Sequence, residues 1–252
     1  MLNRVASIVP IPHLDLIQDD TYFMALTHLL DDPQYFWFYR TMVEMGRYVI
    51  LDNSTVELGH PADPVEYIEN AVRLGASEIL LPDWLRSPER TLKAGDKFIY
   101  LVAGSNYTGR LMAVPQGANV GEWAECARIM LKWPIHSLGL SRRYWEFAGV
   151  YRRRGVQILS ELCMEAGRTD VKVHLLGCAG LPEDDVAPSL GMDIVQGVDS
   201  SLAAQFTAAG LHLAAGVPRP PVADIPWDFN TKYGTGLMRT NLRAWRNLCS
   251  GV

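Results

Sequence analysis

Three aspartates in this chain follow short apolar runs that predict buried β-strands. Asp52 follows residues 49–51, Asp83 follows residues 79–82, and Asp199 follows residues 195–198. In a parallel barrel the carboxyl ends of the strands meet at one face, so these side chains are expected in one pocket. A carboxylate accepts from two adjacent donors, as on a guanine edge, and a carboxylate beside an anomeric carbon attacks it in retaining glycosidases. Carboxylates gathered in one pocket could therefore recognise a purine nucleoside.

Each aspartate alone has a simpler explanation, because aspartate often caps the helix that follows a strand. This applies to Asp83, before a helix predicted from Ser87, and to Asp199, before a helix predicted from Ser201. Three carboxylates are also a suitable ligand set for a metal ion. The cap and metal interpretations stay open at this point.

Short apolar runs alternate with amphipathic stretches along the chain, which is typical of parallel βα units. Strands are predicted at residues 5–9, 48–51, 78–81, 111–114, 137–140, 171–176 and 194–198. An eighth strand is expected in the weakly patterned segment before Tyr48. We therefore predict an α/β fold, a TIM-barrel-like (β/α)8 barrel that is incomplete or irregular, with a doubly wound open sheet as the alternative. No Gly-x-Gly-x-x-Gly follows a predicted strand, which disfavours a dinucleotide-binding fold.

The sequence predicts two regions with different composition. Residues 1–210 carry the βα pattern and are expected to form the barrel domain. Residues 211–252 are expected to form a proline-rich connector and a helix at residues 236–249 that packs on the barrel. The four cysteines are far apart and include no Cys-x-x-Cys pair, so we expect buried free thiols and no zinc subdomain.

Composition limits the partners. The 252 residues are 48% hydrophobic, but no apolar run reaches the roughly 18 residues of a membrane span. The stretch Met1 to Pro10 is too short for a signal peptide, and a cytoplasmic protein without membrane contact is expected. The net charge of -5 argues against coating nucleic acid by charge alone. A local basic segment carries Arg142, Arg143, Arg152 and Arg153, which form either a nucleic-acid contact or a solvated helix face.

The order of the strand tips resembles the tRNA-guanine transglycosylase superfamily, and within it the compact phage-type DNA 7-deazaguanine transglycosylases. The family's Asp-Ser-Gly-Gly-Phe-Gln stretch is similar to residues 52–57, which read Asp-Asn-Ser-Thr-Val-Glu. Its base-reading aspartate is similar to the last residue of Leu81-Pro82-Asp83. Its Val-Gln-Gly is similar to Pro115-Gln116-Gly117.

Three further segments follow in the same order. The family's Gly-Gly-Leu is similar to Leu138-Gly139-Leu140, and its Leu-Met-Gly strand is similar to Leu175-Leu176-Gly177. Its nucleophile strand is similar to residues 191–201. The resemblance thus extends from about residue 49 to residue 201, which is most of the chain.

The chain also departs from the family pattern. Ser54 and Thr55 stand where the family has paired glycines, and Glu57 replaces a glutamine. The family's zinc-binding Cys-x-Cys-x-x-Cys with a distant histidine is absent from the sequence. This loss favours DNA as the polymer, with tRNA as the alternative.

The resemblance implies roles for the residues at the strand tips. Asp199 would attack the sugar C1′, and Asp52 would take the N9 proton of the incoming base. Asp193 is the alternative nucleophile, but it is expected at the opposite face of the barrel. The residues implied to bind the base are Asn53, Asp83, Gln116, Gly117, Gly139 and Leu140.

The residues placed behind the base-binding ones are His174, Glu57 and Asp193. For His174 a satisfied core histidine is the preferred interpretation, and a role behind the pocket is the alternative. The reaction implied by the resemblance requires no cofactor and no metal ion. Its partners are a nucleic acid and a free 7-deazaguanine base, and a homodimer is left open.

Two rival functions belong to other classes. A metal-dependent barrel hydrolase would use Asp52, Asp83 and Asp199 as ligands, but histidines are sparse near the predicted tips. A non-catalytic nucleic-acid-binding subunit would retain a degenerate pocket, and the substitutions at residues 54, 55 and 57 leave that reading open.

Overall fold

A computed structural model of the chain describes residues 4–178, 182–218, 220 and 234–250. Within these residues the chain forms a barrel of eight parallel strands. The strands are β1 (Val5–Ser7), β2 (Tyr22–Leu26), β3 (Tyr48–Asp52), β4 (Glu78–Leu80), β5 (Arg110–Ala113), β6 (Ser137–Ser141), β7 (Lys172–Leu176) and β8 (Val195–Ser200).

Helices follow the strands and surround the barrel. Two short 3-10 helices cover Ile11–Ile17 and Thr27–Leu29. The α-helices are α1 (Pro33–Glu44), α2 (Thr55–Leu58), α3 (Pro64–Leu74), α4 (Pro88–Ala103), α5 (Val120–Met130), α6 (Tyr144–Ala148), α7 (Arg152–Glu165), α8 (Pro182–Asp185), α9 (Ala187–Leu190), α10 (Leu202–Ala208) and α11 (Gly234–Ser250). None of these described helices is both long and apolar enough to cross a membrane.

The strands are hydrogen-bonded in the order β1-β8-β7-β6-β5-β4-β3-β2, and every described pair is parallel. β1 and β2 lie side by side and bring the two ends of the sheet together, but no ladder joins them among the described pairs. The predicted TIM-barrel-like fold is therefore confirmed as a nearly closed barrel, and the alternative of a doubly wound open sheet is wrong.

The eighth strand is β2, and it lies in the segment before Tyr48 where it was expected. Its five residues, Tyr-Phe-Met-Ala-Leu, are all buried. A strand that is buried on both faces has no alternation of apolar and polar residues. Its position was therefore predictable only from the need to close the barrel.

The apolar residues form two cores on the two sides of the barrel wall. Alternate residues of each strand point inward, because successive side chains in a β-strand lie on opposite faces. Nine buried residues form the inner core: Ala6, Ile8, Tyr22, Met24, Leu26, Ile50, Leu80, Met112 and Val114. The larger outer core fills the space between the strands and the helices. The inner core lies below the polar residues at the strand ends.

Local signals set the predicted helix boundaries in α3. The Asp63 side chain accepts from the backbone N–H groups of Val65 and Glu66 at 3.0 and 3.1 Å, which caps the first turn. Gly75 ends the helix at a φ of +76°, a conformation that glycine adopts without strain. One residue at each end thus sets the bounds of α3, Asp63 at the start and Gly75 at the end.

The helix α11 packs on α10. Its buried Asn241 accepts from the backbone N–H of Leu213 at 2.8 Å and donates to Thr207 Oγ1 at 3.0 Å. At the other end of the helix, Arg246 donates to Asp20 Oδ2 at 2.8 Å. The predicted proline-rich connector falls largely on residue 219 and residues 221–233, which lie outside the described residues.

Candidate active site

A cavity of about 450 Å³ lies at the carboxyl ends of the barrel strands. Its size is within the range of small-molecule sites in proteins. The acidic residues of its lining are Asp52, Glu57, Asp83 and Asp199. Arg142, Arg143 and His28 are the basic ones among the described lining residues. The three aspartates predicted to share a pocket therefore do so, on β3, after β4 and on β8.

Asp199 lies at the end of β8 and is 6% exposed. Its Oδ1 is 2.9 Å from His174 Nε2, and both carboxylate oxygens are 3.3 Å from the backbone N–H of Gly177. The residue at the cap position of α10 is Ser201. The interpretation of Asp199 as a helix cap is therefore wrong, because its carboxylate is directed toward β7 and the cavity.

His174 is fully buried inside the barrel, in the middle of β7. Its Nδ1 lies 2.8 Å from the hydroxyl of Tyr22, and its Nε2 contacts Asp199. The two interpretations of this histidine are thus compatible, since it is a satisfied core residue and also a direct neighbour of a cavity carboxylate.

Asp193 lies before the amino end of β8 and is exposed. The cavity is at the opposite end of that strand. Of the two aspartates considered as nucleophile, only Asp199 reaches the cavity.

Asp52 ends β3 and accepts from the backbone N–H of Ser54 at 2.7 Å. Burial raises the pKa of Asp52 well above its usual value, and the negative charges of Glu57, Asp199 and Asp83 raise it further. The surroundings of Asp52 therefore favour its protonated form.

Ser54 has a φ of +57°, in the left-handed region that favours glycine. This is the position where the resembling family has a glycine, so the backbone conformation is glycine-like although the residue is not. The Ser54 hydroxyl lies 2.8 Å from His28 Nδ1, which holds the strained turn against the loop after β2.

Glu57 lines the cavity from α2 and is more exposed than the three aspartates. Burial and the Asp199 charge raise the pKa of Glu57, while Arg142 lowers it. Burial, together with the neighbouring Arg143 charge, lowers the pKa of the Arg142 guanidinium. The cavity thus holds an excess of carboxyl groups.

Asp83 lies three residues after β4 and is held by two side-chain amides. Asn53 Nδ2 donates to its Oδ1 at 3.1 Å, and Gln116 Nε2 donates to its Oδ2 at 2.7 Å. Burial raises the pKa of Asp83 to about 6, and these hydrogen bonds oppose that rise. The α4 cap position belongs to Ser87, so the cap interpretation of Asp83 is wrong as well.

Gln116 and Gly117 were predicted to bind a base, and the structure places both behind the wall of the cavity. The Gln116 amide is used at both ends, since its Oε1 also accepts from the backbone N–H of Arg86 at 3.1 Å. Gly117 packs against α5, where a Cβ would lie 2.4 Å from the Trp123 backbone nitrogen. Neither residue lines this cavity; both line a smaller neighbouring one that shares Ser141 and Arg143 with it, and Gln116 also holds Asp83.

Gly139 and Leu140 were predicted at the tip of β6, but the strand continues to Ser141. Gly139 lies inside the barrel, where a Cβ would be 2.7 Å from a methyl group of Leu176. The Leu140 side chain points outward and lies beside Gly155 of α7. Neither residue therefore lies at the strand tip as predicted, and Ser141 lines the cavity instead.

Arg152 was predicted to contact nucleic acid, and this prediction is wrong. Its side chain is fully buried and pairs with Asp185, with the shortest N–O distance at 2.6 Å. Its remaining N–H groups donate to the carbonyls of Leu140, Leu176 and Gly177 at 3.1, 3.0 and 2.8 Å. Arg152 therefore binds together the ends of β6 and β7 from inside the protein.

The other predicted arginines occupy different surroundings. Arg142 and Arg143 line the cavity, and Arg153 is exposed on α7. Arg143 Nη1 lies 3.5 Å from Glu146 Oε1. The other carboxylate oxygen of Glu146, Oε2, accepts from Arg86 at 2.7 Å.

Sequence reasoning missed several lining residues. His28 was overlooked because it follows β2, the one strand whose bounds were not predicted. Gly177, Cys178, Ser200, Ser201 and Gln205 line the cavity next to predicted tips. A consistent rule of taking two residues beyond every strand end would have found most of them.

In the part of the chain that the structure describes, no three His, Cys, Asp or Glu side chains are grouped so as to hold a metal ion. The donor arrangement thus gives no support to the hydrolase interpretation. Comparison with protein-family models gives no match for this chain, and no curated protein matches it either.

Proposed function

We propose that this chain is a pentosyltransferase that exchanges a guanine base in DNA for a 7-deazaguanine, through a covalent bond between Asp199 and the sugar. The observation that carries the proposal is the convergence of Asp199, Asp52 and Asp83 on one cavity. These carboxyl groups have different surroundings, so each can take a different role in one reaction.

Asp199 is the nucleophile of the proposed reaction. It accepts hydrogen bonds from His174 and from the Gly177 backbone, which fix the orientation of its carboxylate. Its carboxylate forms a bond to the sugar C1′ as the bond from C1′ to N9 of guanine breaks, with the electron pair leaving on N9. A glycosyl ester of Asp199 results, as in retaining glycosidases.

Asp52 is the proton donor and acceptor. Its raised pKa favours the protonated carboxyl, which supplies a proton to the departing guanine. The resulting carboxylate then takes the N9 proton of the incoming 7-deazaguanine, and N9 attacks C1′ and releases Asp199. Two inversions give net retention at the sugar.

Asp83 recognises the base. An ionised carboxylate has about four acceptor positions. Two of them are used by Asn53 and Gln116, which fix its orientation in the cavity wall. The remaining positions suit the adjacent N1–H and 2-amino group of a guanine edge.

The polymer is a DNA strand whose target nucleotide is turned out of its stack into the cavity, at a cost of about a few kcal/mol from a duplex. Arg142 and Arg143 at the cavity wall are suited to neighbouring phosphates. The absence of the family's zinc-binding motif from the sequence favours DNA over tRNA.

The proposal is tested by exchange of labelled guanine into DNA and, in parallel, into tRNA. We expect Asp199→Asn to reduce exchange by at least about a thousandfold, because the amide is not a nucleophile. The matched control is Asp193→Asn, at the exposed opposite end of the same strand, which is expected to retain activity.

Exchange into tRNA alone would contradict the assignment of DNA as the polymer but would agree with the proposed reaction. No exchange into either polymer by the purified protein would favour the non-catalytic subunit. Full activity of Asp199→Asn would disprove the assignment of the nucleophile.

A further inference from the structure

A chain of hydrogen bonds runs from the cavity into the barrel interior. Asp199 Oδ1 is 2.9 Å from His174 Nε2, and His174 Nδ1 is 2.8 Å from the Tyr22 hydroxyl. Tyr22 is 2% exposed and His174 is fully buried. The chain thus joins β8, β7 and β2, and water has little access to it.

Neighbouring residues hold the Tyr22 ring in place. Gly197 provides the space, because a Cβ at this position would lie 2.7 Å from the ring carbon Cε1 of Tyr22. The ring stacks on Tyr48 with the two centroids 5.5 Å apart, and Arg4 lies 5.8 Å from its centroid. The position of the hydroxyl is therefore fixed relative to His174.

The direction of the two hydrogen bonds follows from the ionisation of Tyr22. Burial raises the pKa of Tyr22 well above its usual value, and nearby negative charges raise it further. The phenol therefore keeps its proton and is available as a donor to Nδ1. With Nδ1 as the acceptor, the imidazole carries its proton on Nε2, and that N–H donates to Asp199.

We propose that Tyr22 and His174 are positioning residues that hold Asp199 by its Oδ1, so that Oδ2 is the atom that attacks the sugar. This inference rests on the proposed function. Oδ2 forms the bond to C1′ as the bond from C1′ to the base breaks. When the incoming base attacks C1′, the electron pair returns to Oδ2, and the His174 N–H stabilises the carboxylate that forms again.

The kinetic test uses three variants of the full chain. Tyr22→Phe removes the donor to Nδ1, His174→Leu removes the donor to Asp199, and His174→Gln keeps an N–H near the Nε2 position. Losing a hydrogen bond to a charged group corresponds to about tenfold to a hundredfold in rate. We expect kcat to fall by that factor in Tyr22→Phe and further in His174→Leu, with the KM for the incoming base changed less than about twofold.

His174→Gln is expected to recover part of the loss. In addition, the covalent intermediate formed without incoming base should break down more slowly in His174→Leu, because the leaving carboxylate loses its donor. The matched control is Tyr39→Phe, which removes the hydroxyl of another fully buried tyrosine, one that donates to the Met24 carbonyl at 3.2 Å. Wild-type kcat in Tyr22→Phe and in a folded His174→Leu variant would overturn the inference.

A second measurement does not depend on activity. Ring 15N chemical shifts of His174, assigned by comparison with His174→Gln, should show a protonated Nε2 and an unprotonated Nδ1. A protonated Nδ1 with a bare Nε2 would overturn the inference even in an active enzyme. A wild-type protein with the expected tautomer but no exchange would instead contradict the proposed function.

Discussion

Asp83 accepts from two side-chain amides inside the protein, yet burial raises its pKa from 3.8 to about 6. Both facts have the same origin, because a wall that excludes water leaves few donors for a carboxylate. At the residue scale, the acidic cavity therefore carries a cost in stability. The proposed recognition of a guanine edge needs the ionised form of Asp83, and burial disfavours that form.

This cost makes stability depend on pH. The pKa of Asp83 is higher in the folded protein than in the unfolded chain, so the folded state binds more protons between the two values. The free energy of unfolding therefore falls as the pH rises through that window. Between pH 4 and pH 8 the free energy of unfolding of wild type should fall on the order of 2–3 kcal/mol more than that of Asp83→Asn.

Chemical denaturation at the two pH values measures this difference, with the exposed Asp193→Asn as the control. Identical pH dependence in wild type and Asp83→Asn would contradict the prediction. Exchange activity is expected to be lost in Asp83→Asn at every pH, because an amide cannot accept from both guanine donors.

The sequence predicted the site residues to different degrees. Asp52, Asp83 and Asp199 were found because a polar residue after an apolar run marks a strand tip in a parallel barrel. Arg152 was misassigned because its partner Asp185 is distant in sequence, and burial of a charge is decided by tertiary packing. Gln116 was placed correctly near Asp83, but which way its amide turns is not encoded locally.

At the element scale, the ends of β6 and β7 are fixed by two devices. One is Gly177, whose φ of +66° directs its backbone N–H toward Asp199. The other is the buried Arg152–Asp185 pair, which ties α7 and α8 to three strand-end carbonyls. The cavity wall therefore depends on residues that do not line it as well as on those that do.

Gly177→Ala tests the first device. A Cβ at this position would lie 2.9 Å from Arg142 Cδ, and the left-handed backbone adds about 1–2 kcal/mol for a residue other than glycine. We expect lower stability and a large loss of exchange activity. The control is Gly167→Ala, whose φ of +65° carries the same backbone cost but whose Cβ would have nothing within 4 Å. Equal activity of the two variants would contradict the prediction.

The second device is tested by a double-mutant cycle. Arg152→Met leaves the buried Asp185 carboxylate without its charged partner, and we expect a loss of about 3–5 kcal/mol in urea denaturation. The double variant Arg152→Met/Asp185→Leu should be more stable than Arg152→Met. Additive losses would contradict the coupling.

The helices and strands were more predictable than their exact ends. Strands β3 to β8 lie where the apolar runs indicated, but β6 ends at Ser141, and this extension moved Gly139 and Leu140 off the tip. β2 had no pattern to detect, so His28 after it could not be found as a site residue.

At the scale of the whole molecule, the net charge of -5 opposes binding to a polyanion, and the cavity itself is acidic. Binding of DNA would then depend on few basic residues. Each neutralised phosphate contributes about -0.9 to the slope of log K against log salt for duplex DNA. We expect a shallow slope of about -2 to -4 in a titration by fluorescence anisotropy.

Arg143→Gln is expected to reduce the magnitude of that slope by about one. The control is Lys132→Gln, which should leave the slope unchanged, because Lys132 is exposed between α5 and β6 at the other end of the barrel. The same slope in Arg143→Gln and in wild type would show that Arg143 does not contact the DNA phosphates.

The gap between β1 and β2 gives the barrel a seam. On one side of it stands Tyr22, and on the other side β1 pairs with β8, the strand that carries Asp199. The Tyr22–His174–Asp199 hydrogen-bond chain therefore links the two sides of the seam through side chains, where the described strands have no backbone ladder. Amide hydrogen exchange should accordingly be faster in β2 than in β6, which has a paired strand on each side, and Tyr22→Phe should accelerate it. Opening of the seam and loss of the alignment of Asp199 would then be a single event.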